Sequence, residues 1–312
     1  MGVLRRAAWP GVSAPTRTYL TPPRLASLPV ERHQLEYSSR SLVFAEDGPR
    51  ILRAWGPPER PWVVSVEARG GRWAIEAWGA DPPEARAAVR ALFSLDHALP
   101  EFYRLTRREP ILAGTERRFR GLRIPRDASV YESVLYAIIG QQLSVQAALS
   151  IQRRLFEQTA SVLTAGRTEV PSVPPPKTLL RLGAEGLRAT GLSGAKSRAI
   201  LELAAAPSTS PLREPQLGTM PLDQAIERLV EMRGVGRWTA ENSLLRGTGR
   251  TDVFVAGDLG IRVALAENGI LPRTAPEAAA RAWGEKWYPG WGSYATLYLW
   301  RKLVADRKAL AG

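Results

Sequence analysis

The part of the chain best equipped for chemistry is "RGVGRWTAE", residues 233–241, followed shortly by "TGRTDVFVAGDLGIRVALAE". Gly234 and Gly236 stand one residue apart between two helical patterns, and a carboxylate, Asp258, stands 22 residues beyond the second glycine. A tight turn between helices needs residues that accept positive φ and let another backbone approach, and glycine does both without a Cβ clash. The amides that open the next helix, from Val235 to Trp238, then point outward with the positive end of the helix dipole, where a DNA phosphate fits. Taken alone, "GVG" reads as an ordinary αα-corner with a glycine cap. Asp258 taken alone reads as the N-cap of a helix whose apolar face is Leu259, Val263 and Ala266. An N-cap also holds its carboxylate in one place.

Most other chemistries lack their residues. The chain has no cysteine, which removes disulfides, thiolate zinc sites, thiol nucleophiles and iron–sulfur clusters together. Two isolated histidines, His33 and His97, offer little to a metal site or a histidine-dependent triad. No G-x-x-x-x-G-K-[ST] or strand-linked G-x-G-x-x-G occurs, which disfavours nucleotide-phosphate enzymes. With 43 basic against 30 acidic residues the net charge is +13, so a polyanion is the first partner to consider. No apolar run approaches the roughly 18 residues of a membrane span, and the N-terminus lacks the apolar core of a signal peptide; the expectation is a cytoplasmic protein with no membrane partner.

The elements that must position these residues follow from periodicity. Residues 1–30 carry four arginines, no acid, and scattered proline and glycine, and are expected as a basic flexible arm. Residues 31–115 are expected as a small α+β domain: "SLVFAED" and "PWVVSVEARGGRWAIEAWG" alternate with period two across Gly70-Gly71, a β-hairpin, and "PPEARAAVRALFSL" follows as a helix. Residues 116–312 are expected to be all-α, with a break near Gly140, a loop at "GRTEVPSVPPPK", the hairpin at 229–246 and a C-terminal helical lobe at 258–308. The one strand-like segment there is Val253–Val255. The fold class is therefore mainly α, preceded by a small α+β domain.

The stretch "LVEMRGVGRWTAENSLLRGTGRTDVFVAGDLGIR" resembles the helix-hairpin-helix, Gly/Pro-rich loop and aspartate of the HhH-GPD superfamily of DNA glycosylases. "GLRIPRDASVYESVLYAIIGQQLSV" and "WYPGWGSYATLYLW" resemble matching segments of its AlkA-type 3-methyladenine DNA glycosylases II, in the same order, so the likeness runs over about residues 90–305. It implies a hydrolase of base-excision repair that flips an alkylated base such as 3-methyladenine or 7-methylguanine out of double-stranded DNA and cuts its N-glycosidic bond. Asp258 would be the catalytic carboxylate, stabilising the sugar cation and orienting water. Trp238 and Trp300 would be pocket walls, with Asn242, Leu259 and Arg301 where AlkA has tyrosines, which implies a roomier and less discriminating cleft. Gly234, Val235, Gly236 and Arg237 would form the DNA-binding hairpin. The wedge that fills the gap falls on Gln142 or the adjacent Leu143, a choice the alignment leaves open. Main-chain carbonyls of Val230, Met232 and Val235 would hold a structural monovalent cation, and no cofactor is required.

Relatives that also nick the strand use a lysine two residues after the second glycine; here that position is Trp238, and no lysine occurs between Lys196 and Lys286. A monofunctional enzyme acting as a monomer is the expectation. Eight arginines between residues 104 and 126 are candidates for backbone contact. Two alternatives stand beside this reading: a non-catalytic helix-hairpin-helix DNA-binding protein, and a glycosylase for oxidised or deaminated bases.

Overall fold

Period-two alternation over residues 50–78 builds the middle of a five-stranded antiparallel sheet. The computed structural model describes residues 14–24, 26, 44–206, 210, 212 and 215–311. Strands β1 (Thr16–Leu20), β2 (Phe44–Asp47), β3 (Arg50–Trp55), β4 (Trp62–Arg69) and β5 (Arg72–Trp78) lie in the order β1-β5-β4-β3-β2. Gly70 and Gly71, both at positive φ, make the expected two-residue turn between β4 and β5. One set of alternating residues, Ile51, Val64, Val66 and Ile75, packs under helix α1 (Pro82–Leu92). The other set, Leu52, Ala54, Val63 and Trp78, is also buried, so both faces of the sheet are covered.

The cover of that second face was expected as a loop. Strands β6 (Val162–Ala165) and β7 (Thr168–Pro171) form a hairpin that packs Leu163, Ala165 and Val170 on the sheet. Four-residue strands leave too few alternations to separate from a loop, and the proline run behind them hid the signal. Part of the expected arm is also structured: β1 pairs along β5, with Arg17 on Glu76 at 2.9 Å, while the arm's Arg5 and Arg6 lie outside the described residues.

Helices α2 (Leu99–Thr106) and α3 (Pro110–Arg118) follow α1 in sequence but bury Leu99, Phe102 and Leu112 in the helical core. The change of core thus falls between Leu95 and Leu99, earlier than the expected 115. Helix α4 (Val130–Gly140) and helix α5 (Val145–Thr159) meet at 120° where a break near Gly140 was expected. After the β6–β7 hairpin come α6 (Pro176–Ala189), α7 (Gly194–Ala205), α8 (Leu222–Val230), α9 (Arg237–Gly247), α10 (Leu259–Glu267), α11 (Glu277–Trp287) and α12 (Gly292–Ala311). Among the described residues no single helix is long and apolar enough to cross a membrane.

Val253–Val255 pairs with no strand among the described residues. Its amides are taken by side chains of α12 instead, Val253 N–H by Ser293 Oγ at 3.1 Å and Val255 N–H by Thr296 Oγ1 at 3.2 Å. A Cβ on Gly292 would come within 2.7 Å of the Phe254 nitrogen, so a glycine is what lets helix and segment approach this closely.

Candidate active site

Helices α8 and α9 are joined by the glycine turn, and the two glycines do different jobs. Gly234 has φ +81°, and a Cβ there would meet the Ala199 Cβ of α7 at 2.5 Å. Gly236 has φ −90°, an ordinary extended conformation, caps α9 without a side-chain hydrogen bond, and faces open space. Only the first glycine is required by the backbone; the second leaves the start of α9 bare. The Val235 amide, expected to face outward, instead donates to the Met232 carbonyl at 3.0 Å, closing the turn, and the residue is buried. The outward amides therefore begin at Gly236 and continue through Arg237 and Trp238, the unpaired donors of a helix start.

Arg237 is not a free cation at this opening. Its guanidinium donates to Glu241 Oε1 at 2.9 Å and to Asp223 Oδ1 at 3.3 Å. Glu241 is 1% exposed and also meets Arg281 of α11 at 2.8 Å. Burial raises the Glu241 carboxyl above its usual range, against the pull of the two guanidinium groups. Neutral backbone amides and the helix dipole, rather than this arginine, are what the turn presents to an anion.

Asp258 caps α10, its Oδ1 accepting the Ile261 amide at 3.2 Å. Both tryptophans singled out by sequence converge on the same carboxylate: Trp300 Nε1 donates to Oδ1 at 2.9 Å, and Trp238 Nε1 donates to Oδ2 at 3.1 Å. A carboxylate offers about four acceptor directions, and three are used, so the open one lies on Oδ2. The carboxylate is thus pinned by three donors from three parts of the chain, α9, α10 and α12. Both indoles spend their N–H on it, and both lie half-buried against the helical core. Arg246, one further residue that sequence reasoning did not single out, sets its guanidinium 5.6 Å from the Trp300 ring centre.

The other expected wall residues are placed differently. Leu259, next to Asp258, is 73% exposed. Asn242 is 9% exposed on α9, one helical turn beyond Trp238. Arg301 is buried with its guanidinium 4.8 Å from the Phe119 ring centre.

The expected wedge segment is a protruding turn between α4 and α5. Gln142 is exposed with φ +55°, and Leu143 is 39% exposed. Two residues outside the expected set hold this turn. Gln141 donates its amide to the Gly234 carbonyl and to Thr239 Oγ1, each at 2.9 Å, bridging to the glycine hairpin. Lys196 of α7 donates to the Ile139 and Gln141 carbonyls at 2.9 and 2.6 Å, and burial lowers its pKa from the ordinary lysine value. All four bonds join residues tens of positions apart, for which a single sequence carries no periodic signal.

Several of the arginines between 104 and 126 serve structure. Arg123 is buried and donates to the carbonyls of Ser94 and His97, and Arg120 pairs with Glu116 beside the Tyr103 ring. Among the described residues no group of three or more histidine, aspartate or glutamate side chains is placed to hold a metal ion.

Comparison with known proteins places this geometry. The model of the HhH-GPD superfamily base excision DNA repair proteins matches residues 135–289, the span that holds the turn between α4 and α5, the glycine hairpin and Asp258. A Bacillus subtilis protein named DNA-3-methyladenine glycosylase is 27% identical over 233 residues, 73% of this chain and 75% of its own length. The Escherichia coli DNA-3-methyladenine glycosylase 2 is 32% identical over 182 residues, 58% of this chain and 60% of its own. The structure of a 3-methyladenine DNA-glycosylase from Archaeoglobus fulgidus superposes with a TM-score of 0.78 at 24% identity, covering 93% of this chain and 98% of the other, a likeness of fold.

Proposed function

This chain belongs to the HhH-GPD superfamily of base excision DNA repair proteins, and from that premise we propose that it is a monofunctional DNA glycosylase that flips alkylated bases from double-stranded DNA and hydrolyses their N-glycosidic bonds. The observation that carries the reading is the Asp258 carboxylate held by Trp238, Trp300 and the Ile261 amide with one acceptor direction open. A DNA-binding module needs no carboxylate facing a polyanion, still less one pinned by two indoles.

The chemistry follows from that arrangement. An N3- or N7-alkylated purine already carries positive charge, so its glycosidic bond is weakened and the departing base needs little protonation. What remains is to stabilise an oxocarbenium-like sugar, and a fixed carboxylate near C1′ does this without reorganising during the step. The open acceptor on Oδ2 is free to take a proton from the attacking water. Cationic bases bind indole faces through stacking and cation–π attraction, which is what Trp238 and Trp300 have left to offer. With Trp238 where a Schiff-base lysine would stand, the product is an intact strand with an abasic site.

Outside the pocket, the amides of Gly236 to Trp238 take a phosphate, and the Gln142–Leu143 turn fills the space left by the flipped base. The carbonyls of Val230, Met232 and Val235 are neutral hard donors that suit a monovalent cation, and Met232, which already accepts one amide, keeps a second lone pair. Such a cation would brace the turn; no step of the hydrolysis passes through it. The enzyme acts as a cytoplasmic monomer on one asymmetric lesion at a time.

Single-turnover excision from duplex oligonucleotides carrying one 7-methylguanine, with and without alkali, tests this reading. The wild type is expected to yield breaks only after alkali treatment, and Asp258→Asn to bind equally while losing on the order of 10²-fold or more in rate. Equal binding with no excision by either form would leave a DNA-binding protein on a repair-enzyme scaffold, and breaks without alkali would refute the monofunctional assignment.

A further inference from the structure

Asp258 is carried by residues 253–257, a segment held from two sides. On one side Ser293 and Thr296 of α12 take its amides. On the other lies α11: Trp283 packs on the Phe254 ring with centres 5.8 Å apart, and a Cβ on Gly284 would fall 2.4 Å from that ring. At the start of α11, Glu277 sets its Oε2 2.9 Å from where a Cβ on Gly257 would stand. The Glu277 carboxylate thus fills the space of a side chain at the residue before Asp258, and glycine at 257 is what admits it.

Trp238, the donor to Asp258 Oδ2, belongs to a different helix, α9. Arg281 of α11 spans the two. Its Nη1 lies 2.8 Å from Glu241 Oε1 on α9, and its Nη2 donates to Glu277 Oε1 at 2.5 Å. Glu241 is 1% exposed, and its Oε2 has no partner among the described residues, so the carboxylate depends on what meets Oε1. Of the two cations there, Arg281 opposes the cost of burial more strongly than Arg237, which is nearly half exposed and shared with Asp223. A guanidinium is a rigid planar fork, so two carboxylates on its two arms are held at a set separation.

We propose that Arg281 is a positioning residue for Asp258: by holding Glu241 of α9 and Glu277 beside Gly257 at one spacing, it keeps the carboxylate within reach of the Trp238 indole. Its effect on rate rests on the glycosylase reading above; its effect on the geometry does not. Arg281 acts through Glu277 and the backbone rather than on the reacting atoms. The Trp300 bond does not depend on it, because Trp300 lies on α12, which grips the same segment through Ser293 and Thr296. Loss of Arg281 therefore loosens one indole bond and spares the other.

Two variants test this. Arg281→Met cuts both arms of the bridge and leaves Glu241 buried with one exposed partner, so its melting temperature is expected to fall. Arg281→Met/Glu241→Leu removes the stranded charge and is expected to melt within about two degrees of wild type. In this double variant the Trp238 indole N–H, followed by NMR hydrogen exchange, is expected to exchange about tenfold faster or more, and that of Trp300 to stay within about twofold. Each signal is identified by its loss in Trp238→Phe or Trp300→Phe. Single-turnover excision of 7-methylguanine at saturating enzyme is expected to remain about ten- to a hundredfold slow in the double variant although its stability has returned. Recovery of the rate together with the melting temperature would assign Arg281 to stability alone and overturn the proposal, as would equal acceleration of both indoles or of neither. A double variant melting as low as the single one also counts against it, because the bridge would then act through packing. If wild type excises nothing, the glycosylase reading fails on its own, and the exchange of the two indoles still decides whether Arg281 holds Asp258 to Trp238.

Discussion

Asp258 is a helix cap for which we propose a second use. Any aspartate at this position would accept the Ile261 amide, and that alone was legible in "AGDLGIR". The two indole donors make the difference, because they leave the carboxylate one rotamer and one open acceptor direction. The observed N–H donation of Trp300 and the stacking face we propose for it can be separated by Trp300→Phe. That variant keeps the face and loses the bond to a charged acceptor, so excision is expected to slow about tenfold while affinity for lesion-containing DNA stays within about twofold. A loss of affinity as large as the loss of rate would assign the residue to stacking alone. Arg237 shows the opposite case. It stands in the right place for a phosphate contact, yet its guanidinium is committed to Glu241 and Asp223, a pairing that spacing along one helix only half reveals.

The glycine hairpin is a unit of two turns of helix and a joint whose two glycines are separable. Gly234→Ala forces an L-residue to φ +81° and drives its methyl into Ala199, at an expected cost of about 1–3 kcal/mol read from the urea midpoint. Gly236→Ala meets neither obstacle, so stability is expected to hold while DNA binding weakens, since the methyl projects into the open space in front of the turn. A stability loss of the same size at both positions would contradict this division. The hairpin does not work alone. Gln141 ties it to the turn between α4 and α5, and Lys196 ties that turn to α7, so the element proposed to hold phosphate and the element proposed to displace the base are mechanically one.

The sheet domain and the helical region are joined by an ion pair between Arg53 of β3 and Glu132 of α4, 2.6 Å apart and each 1% exposed. Helix α4 leads directly into the turn at Gln142 and Leu143, so this pair holds the far end of the helix that carries it. Arg53→Met strands a buried carboxylate and is expected to cost about 3–5 kcal/mol in urea unfolding, most of it recovered in the Arg53→Met/Glu132→Leu double variant. A double variant no better than the single would show that Arg53 acts through packing rather than charge. What the sequence alone determined is what a few neighbouring residues encode: the β4–β5 hairpin from period two and two glycines, the break after Gly140, the turn at Gly234, and the cap at Asp258. The β6–β7 hairpin and the change of core at Leu95–Leu99 escaped it, because short strands and amphipathic helices do not say which neighbour they will cover. Only the tertiary structure decided that Trp300 reaches Asp258 across 42 positions and that Gln141 reaches Thr239 across 98. Such contacts depend on how whole helices cross, and helix crossings are set by packing over the entire core rather than by any local spacing of residues.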